Sequence, residues 1–300
     1  MILCCGEALI DMLPRQTQAG EAAFAPYPGG AVFNTSVALG RLGAPVSFFS
    51  GLSDDLFGDM LRDALAASQV DATPVHTSSR PTTLAFVKLV DGQATYAFYD
   101  ENTAGRMVAP DELPNVNAQA LFFGGISLVG DPCGATYETL MLRSAPTSAV
   151  MLDPNIRPSF IKDEPAYRAR LTRMLSVADI VKVSDEDLEW ITGDTDPSAL
   201  LDMGIKLVCM TEGAKGVRGL TNDMDVFVPA NKVEVADTVG AGDTFNAGLL
   251  ASLHKSGALT KSGIATLSET TLTTALAYGA KAAAITVSRA GANPPWATEL

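Results

Sequence analysis

Asp237-Thr238-Val239-Gly240-Ala241-Gly242-Asp243 is the stretch on which the reading of this chain turns, with a segment of helical period, 244–253, directly behind it. Two glycines and an alanine at the mouth of a helix expose backbone N–H groups that lack intrahelical acceptors, and the helix dipole adds positive potential there. The result is an anion hole. Glycine also lets the backbone approach a phosphate more closely than any residue with a side chain. Asp243 falls in the first helical turn, where the dipole keeps its carboxylate ionised and able to take a proton from an attacking hydroxyl, which suits phosphoryl transfer. The alternative is an ordinary first-turn carboxylate worth about 0.3–1 kcal/mol of helix stability. The stretch has neither the Gly-Lys-Ser/Thr of a Walker A loop nor the G-x-G-x-x-G of a dinucleotide fold.

Upstream, short β-rich runs (2–10, 46–52, 120–124, 150–153, 180–183 and 207–211) alternate with segments of helical period near 34–42, 55–68, 134–144, 165–176 and 185–192. Two more helices are expected near 242–255 and 268–284. This alternation predicts an α/β fold, a mainly parallel sheet flanked by helices on both faces, with ligands beyond the carboxyl ends of its strands. One segment breaks the rhythm. Runs 82–90 and 94–100 read as strands around the tight-turn pair Asp91-Gly92, a hairpin with no wholly polar face. It is a lid, a contact in a homodimer, or an ordinary sheet edge. No repeat, low-complexity tract or linker divides the chain, so residues 1–300 are expected to form one domain, with lid segments near 12–30 and 82–101.

The 300 residues are 47% hydrophobic and 18% charged, enough to bury a sizeable core. Acidic residues outnumber basic ones 34 to 21, and a net charge of −13 repels nucleic acid backbones and anionic lipid, so neither is an expected partner. A local positive pocket for an anionic substrate remains compatible with that total. Cys4, Cys5, Cys133 and Cys209 are scattered in apolar runs, and His76 and His254 stand far apart, which gives no zinc spacing. The N-terminus enters an apolar run with no basic leader, and no apolar stretch reaches ~18 residues, so a cytoplasmic protein is expected.

The D-T-x-G-A-G-D of 237–243 resembles the C-terminal signature of the ribokinase-like carbohydrate kinases, the PfkB family. The likeness continues in Gly29-Gly30-Ala31-Val32-Phe33-Asn34, in Ala38-Leu39-Gly40-Arg41-Leu42-Gly43 and in the 51–58 segment, where Ser53 replaces a common glycine, and it covers essentially the whole chain. It implies a ribokinase-like, Rossmann-like core with a small β-sheet lid, ATP with Mg²⁺ as phosphoryl donor, and Asp243 as catalytic base. The amides of Gly240, Ala241 and Gly242 would then hold the charge that develops on the transferring phosphoryl group.

In the resembling kinases the positions of Asp11, Gly29, Gly30 and Asn34 hold the sugar. Read alone, Asp11 is equally a turn aspartate and Asn34 a helix N-cap. Ala85, Phe98 and Tyr96 of the hairpin would cover the site and exclude water. Asp153-Pro154-Asn155-Ile156-Arg157 is similar to a D-x-N-x-R segment that places Asn155 and Arg157 beside substrate and phosphates; the alternative is a surface arginine paired with Asp163 or Glu164. Thr211, Gly213 and Gly216 belong to a T-x-G-x-x-G turn implied to pass under the ATP phosphates and ribose. Lys182 and Ser184 stand in the place of the family's N-x-x-E motif, with Asp187 for its glutamate, so Asp187 or Glu186 would meet Mg²⁺ through water. Ala275 and Gly279 would wall the adenine or else serve helix packing. Asp237 would stand beside a monovalent cation such as K⁺.

Within the family, Gly6-Glu7-Ala8-Leu9-Ile10-Asp11, Pro28-Gly29-Gly30 and Lys182-Val183-Ser184-Asp185-Glu186 are most similar to bacterial fructokinases. Relatives acting on 2-keto-3-deoxygluconate carry a lid arginine where this chain has Asp100, which would repel an acid group, although Arg106 nearby could serve one. Fructose is therefore the expected substrate, ahead of 2-keto-3-deoxygluconate, then ribose and nucleosides. A non-catalytic sugar-binding protein on the same fold is the alternative of another class.

Overall fold

A computed structural model describes residues 1–90, 93–115 and 117–300, with backbone alone at 88–90 and 93–96. The chain begins with β1 (Ile2–Cys5), β2 (Leu9–Gln16), β3 (Ala22–Gly29), α1 (Ala31–Arg41), β4 (Val46–Phe49), β5 (Gly51–Ser53) and α2 (Leu56–Ala67). Next come β6 (His76–Ser78), β7 (Leu84–Val90), β8 (Gln93–Tyr99), β9 (Ala120–Gly124), α3 (Cys133–Ser144), β10 (Ala149–Asp153), α4 (Glu164–Leu175), β11 (Ile180–Ser184), α5 (Asp185–Thr192) and α6 (Ser198–Asp202). It ends with β12 (Leu207–Thr211), β13 (Gly216–Leu220), β14 (Asp225–Pro229), α7 (Ala241–Lys255), α8 (Lys261–Ala265) and α9 (Glu269–Val287).

The main sheet has the order β14-β13-β12-β11-β10-β9-β1-β4, parallel from β12 through β4 and closed by the antiparallel β13 and β14. Because successive residues of a strand point to opposite faces, each strand feeds two cores. Ile2, Cys4, Phe122, Met151 and Cys209 join one, with α1, α7 and α9. Leu3, Cys5, Phe123, Leu152 and Val208 join the other, with α3 and α4. Each buried Leu, Ile or Phe is worth about 1.5–3 kcal/mol, which is why these runs are almost wholly apolar. The strand ends Asp153, Ser184 and Thr211 consequently gather at one edge.

A second sheet, β3-β2-β7-β8, stands apart from the first, with β2 and β7 parallel. It is the expected lid, extended by a strand. The run 2–10, read as one strand, is split by a bend at Gly6, where a Cβ would lie 2.5 Å from Val32 Cγ2, and the chain re-enters as β2. The run 46–52 divides likewise into β4 and β5, the latter pairing with β6. Pro26, Pro28 and Gly29 argue against a strand, yet they form β3, because it is a sheet edge where a missing N–H is tolerated. The Asp91-Gly92 turn lies outside the described residues, as does the side chain of Tyr96. Among the described residues no helix is long and apolar enough to cross a membrane.

Candidate active site

A cleft of about 670 Å³ opens at the carboxyl edge of the main sheet, between the lid and the start of α7, and Asp243 lies on its wall. Helix α7 is buried nearly all round, between α1 and α9, as a helix with so few polar positions must be. Its first turn fixes Asp243 at the end of the cleft. Asn34 Nδ2 donates to Asp243 Oδ2 at 2.9 Å, and Thr35 Oγ1 donates to the Asp243 carbonyl at 3.2 Å. Oδ1 has no donor among the described residues. Burial pushes the Asp243 carboxyl up to about 7; the Asn34 bond and Lys182 act against that rise, Asp153 and Glu7 with it. Asn34 is thus one turn inside α1, whose N-cap is Gly30, and the N-cap reading of Asn34 fails.

The amides behind Asp243 differ from expectation in one respect. Ala241 N–H donates to Thr238 O at 3.3 Å, closing a turn in which Gly240 has φ 77° and ψ 4°, the conformation a type II turn reserves for glycine. A Cβ at Gly240 would also lie 2.8 Å from that of Ala292. Ala241 is therefore withdrawn from the anion hole, while the N–H groups of Gly242 and Asp243 have no acceptor among the described residues. The hole has a cation beneath it. Lys182 Nζ would lie 3.2 Å from a Cβ on Gly242, and it donates to Asp153 Oδ2 at 3.1 Å, an oxygen that also accepts Asn246 Nδ2 at 2.7 Å. Burial alone would lower the Lys182 ammonium, but Asp153, Asp187 and Asp243 around it raise it overall, so it stays charged. Asp153 Oδ1 and Asn246 Oδ1 are buried with no partner among the described residues.

At the other end of the cleft, Asp11 projects from β2, its carboxyl raised to about 6 by burial. Gly29, on the neighbouring strand β3, has no room for a Cβ because Asp11 Oδ2 fills the space. Gly30, at φ 107°, opens α1 against the Glu7 carbonyl. Glu7, unassigned from sequence, accepts Ala31 N–H with Oε1 at 3.0 Å and Ser127 N–H with Oε2 at 3.3 Å, so it caps α1 and ties it to the turn after β9. Asn155 and Arg157 line the opposite wall. Arg157 forms no ion pair among the described residues, since Glu164 binds Arg168 and Asp163 caps α4, so the surface-pair reading fails. Phe98 of the lid meets Phe160 at 4.1 Å between ring centroids, a contact that sequence did not suggest. Ala85, expected as cover, is sealed within the lid and lines no part of this cleft. Asp100 and Arg106 pair at 3.8 Å beside a separate cavity of about 30 Å³.

On the nucleotide side, Thr211 ends β12 next to Ser184, and Gly213 (φ 55°) and Gly216 (φ 143°) shape the turn into β13. Three expectations are corrected here. Ala275 and Gly279 line neither the cleft nor the small cavity: Gly279 backs onto Phe245 and Gly248 in the α7–α9 contact, and Ala275 is fully buried. Ser184 is the N-cap of α5 and accepts Asp187 N–H at 3.0 Å. Asp187 accepts Ser184 N–H with one oxygen and Ile156 N–H with the other, so both of its oxygens serve the chain, whereas Glu186 is exposed. Among the described residues no group of three acidic, cysteine or histidine side chains could hold a metal. Asp237 straps the signature loop, accepting Val239 N–H at 3.0 Å and Gly291 N–H at 2.9 Å.

The profile of pfkB family carbohydrate kinases matches residues 1–299. The chain belongs to that family. Among relatives of this carbohydrate kinase, a fructokinase of Rhizobium leguminosarum bv. trifolii is 57% identical over 278 residues, covering 91% of this chain and 85% of the relative. The fructokinase of Xylella fastidiosa, solved with ATP, superposes with a TM-score of 0.87 at 30% identity, covering 97% of this chain and 93% of that one. A fructokinase of Vibrio cholerae O395, solved with fructose, ADP and calcium ion, does so with a TM-score of 0.84 at 27% identity, covering 97% and 94%. A double mutant of it was solved with fructose, ADP and potassium ion. The kinase therefore has the ribokinase-like fold expected of its motifs.

Proposed function

We propose that this kinase transfers the γ-phosphoryl group of ATP to a hydroxyl of D-fructose. The observation that carries the reading is the convergence, in one cleft, of Asp243 held by Asn34, the free amides of Gly242 and Asp243, and the charged Lys182. A carboxyl near 7 is half ionised at neutral pH and accepts the hydroxyl proton as the new O–P bond forms and ADP leaves. The two amides and Lys182 stabilise charge on the migrating group, while Asp11, Asn155 and Arg157 fit the sugar and phosphate ends of the cleft. Phe98 and Phe160 narrow the entrance and exclude water.

Fructose is favoured over 2-keto-3-deoxygluconate because Arg106, the nearby cation that could meet an acid group, is paired with Asp100. A pure sugar-binding protein would have no use for a base beside free amides. Mg²⁺, bound to the nucleotide phosphates and water, would neutralise phosphate charge. A K⁺ ion near Asp237 belongs to the proposal, supported by the potassium form of the Vibrio relative. The whole chain acts as one domain, in the cytoplasm, where four free buried thiols are at home, and as a homodimer joined through the lid. The test is ATP consumption over fructose, 2-keto-3-deoxygluconate, ribose, tagatose and adenosine. Fructose should give the highest kcat/KM, and Asp243→Asn should lose ~10²–10⁴-fold in turnover; preference for the acid sugar would overturn the substrate, and an active variant the mechanism.

A further inference from the structure

Asp187 stands where the motif suggests a metal contact, yet the chain itself uses both of its oxygens. Oδ2 accepts Ser184 N–H at 3.1 Å, which with the Ser184 hydroxyl completes a capping box on α5. Oδ1 does something the cap does not need: it crosses to the loop after β10 and accepts Ile156 N–H at 2.8 Å. With 5% of its surface exposed and an N–H on each oxygen, the side chain has little edge left for an ion. Ile156 is the residue between Asn155 and Arg157, and both of those line the cleft. Asn155 has φ 44°, a left-handed conformation that a non-glycine residue keeps only where its surroundings over-determine it. The Ile156 carbonyl in turn accepts Arg157 Nη1 at 2.9 Å, so the bond from Asp187 reaches the guanidinium through a single residue.

We propose that Asp187 is a positioning residue that pins the 154–157 loop and so aims Asn155 and Arg157 at the sugar, and that it does not hold the metal. This deepens the fructokinase reading and rests on it. Two measurements separate the roles: the fructose Kd by calorimetry without nucleotide or metal, and the Mg²⁺ concentration giving half-maximal turnover. Asp187→Asn keeps one acceptor for two N–H groups, so its fructose Kd should rise about tenfold or more while its Mg²⁺ midpoint stays at the wild-type value. Unchanged fructose affinity with a raised Mg²⁺ midpoint would overturn the proposal. Asp187→Glu keeps charge and both acceptors and serves if the first variant fails to fold; its fructose Kd should lie between the other two with an unmoved Mg²⁺ midpoint, and a shifted midpoint with normal Kd would be equally fatal. Should the wild-type enzyme bind another sugar of the screen instead, the substrate reading falls alone, and the same comparison is made with that sugar.

Discussion

Asp243 ties the chemistry to pH. Its carboxyl stands near 7 in the fold and near 3.8 when solvated, mainly because it is buried. Only the ionised form accepts a proton, so kcat/KM for sugar should climb from pH 5 and level off above about 7, with Asp11, near 6, steepening the acid limb. The same shift has the opposite sign for stability. A carboxyl whose folded pKa is raised stabilises the protonated fold at low pH, and that contribution is lost as pH rises through about 7. Asp243→Asn stays neutral and keeps an acceptor for Asn34, so it should be more stable than wild type at pH 8 by an unfolding free energy on the order of a few kcal/mol. That advantage should vanish near pH 4, and a calorimetric series that found it constant with pH would contradict the burial argument. Asp243 and Asp11 were legible in sequence because the motifs shared with the resembling kinases mark them, although Asp11 lies inside β2 and not at a strand end. Glu7 and Asn246 were not, since their roles depend on Ser127 and Asp153, 120 and 93 residues away.

At the level of elements, α7 carries the base only because α9 lies close behind it. A Cβ on Gly248 would lie 2.6 Å from Gly279 Cα, a contact with backbone that no rotamer can relieve. Gly248→Ala should therefore force the helices apart at a cost of about 1–3 kcal/mol, seen as a lower urea midpoint with an unchanged slope. A variant as stable as wild type would show that the helices are not held by this approach. The close crossing also explains why Gly279 and Ala275 could be read either way: small residues on a helix mark a neighbour, and the sequence does not say whether that neighbour is adenine or another helix. The capping box at Ser184 and Asp187 is a similar case, with a local spacing that serves α5 as well as it matches a metal motif. Strand alternation and the lid hairpin were readable because their periods are local. The strand β3 was hidden by prolines that only an edge position permits.

For the whole molecule, the lid has two sides. Asp11, Ala85 and Phe98 are register neighbours on β2, β7 and β8 and share one face, so Phe86 and Tyr99, one residue along, stand on the other. There Phe24, Phe86 and Tyr99 form a continuous aromatic row, with ring centroids 5.0 and 5.5 Å apart, and Phe24 and Tyr99 remain 48% and 63% exposed. Exposed aromatics on a four-stranded sheet with two open edges are the surface a second copy would cover, and a twofold axis through the sheet would set each row against its twin. Opposing this, two copies each carrying −13 repel one another. Apolar contact is insensitive to screening and the repulsion is not, so dimerisation should strengthen as ionic strength rises from about 0.01 to 0.15 M. Sedimentation should give twice the chain mass of 31.3 kDa in the higher salt, and Tyr99→Lys with Phe24→Lys should return it to one. A wild-type protein that stays single at micromolar concentration in both salts would leave the lid a cover for the sugar alone.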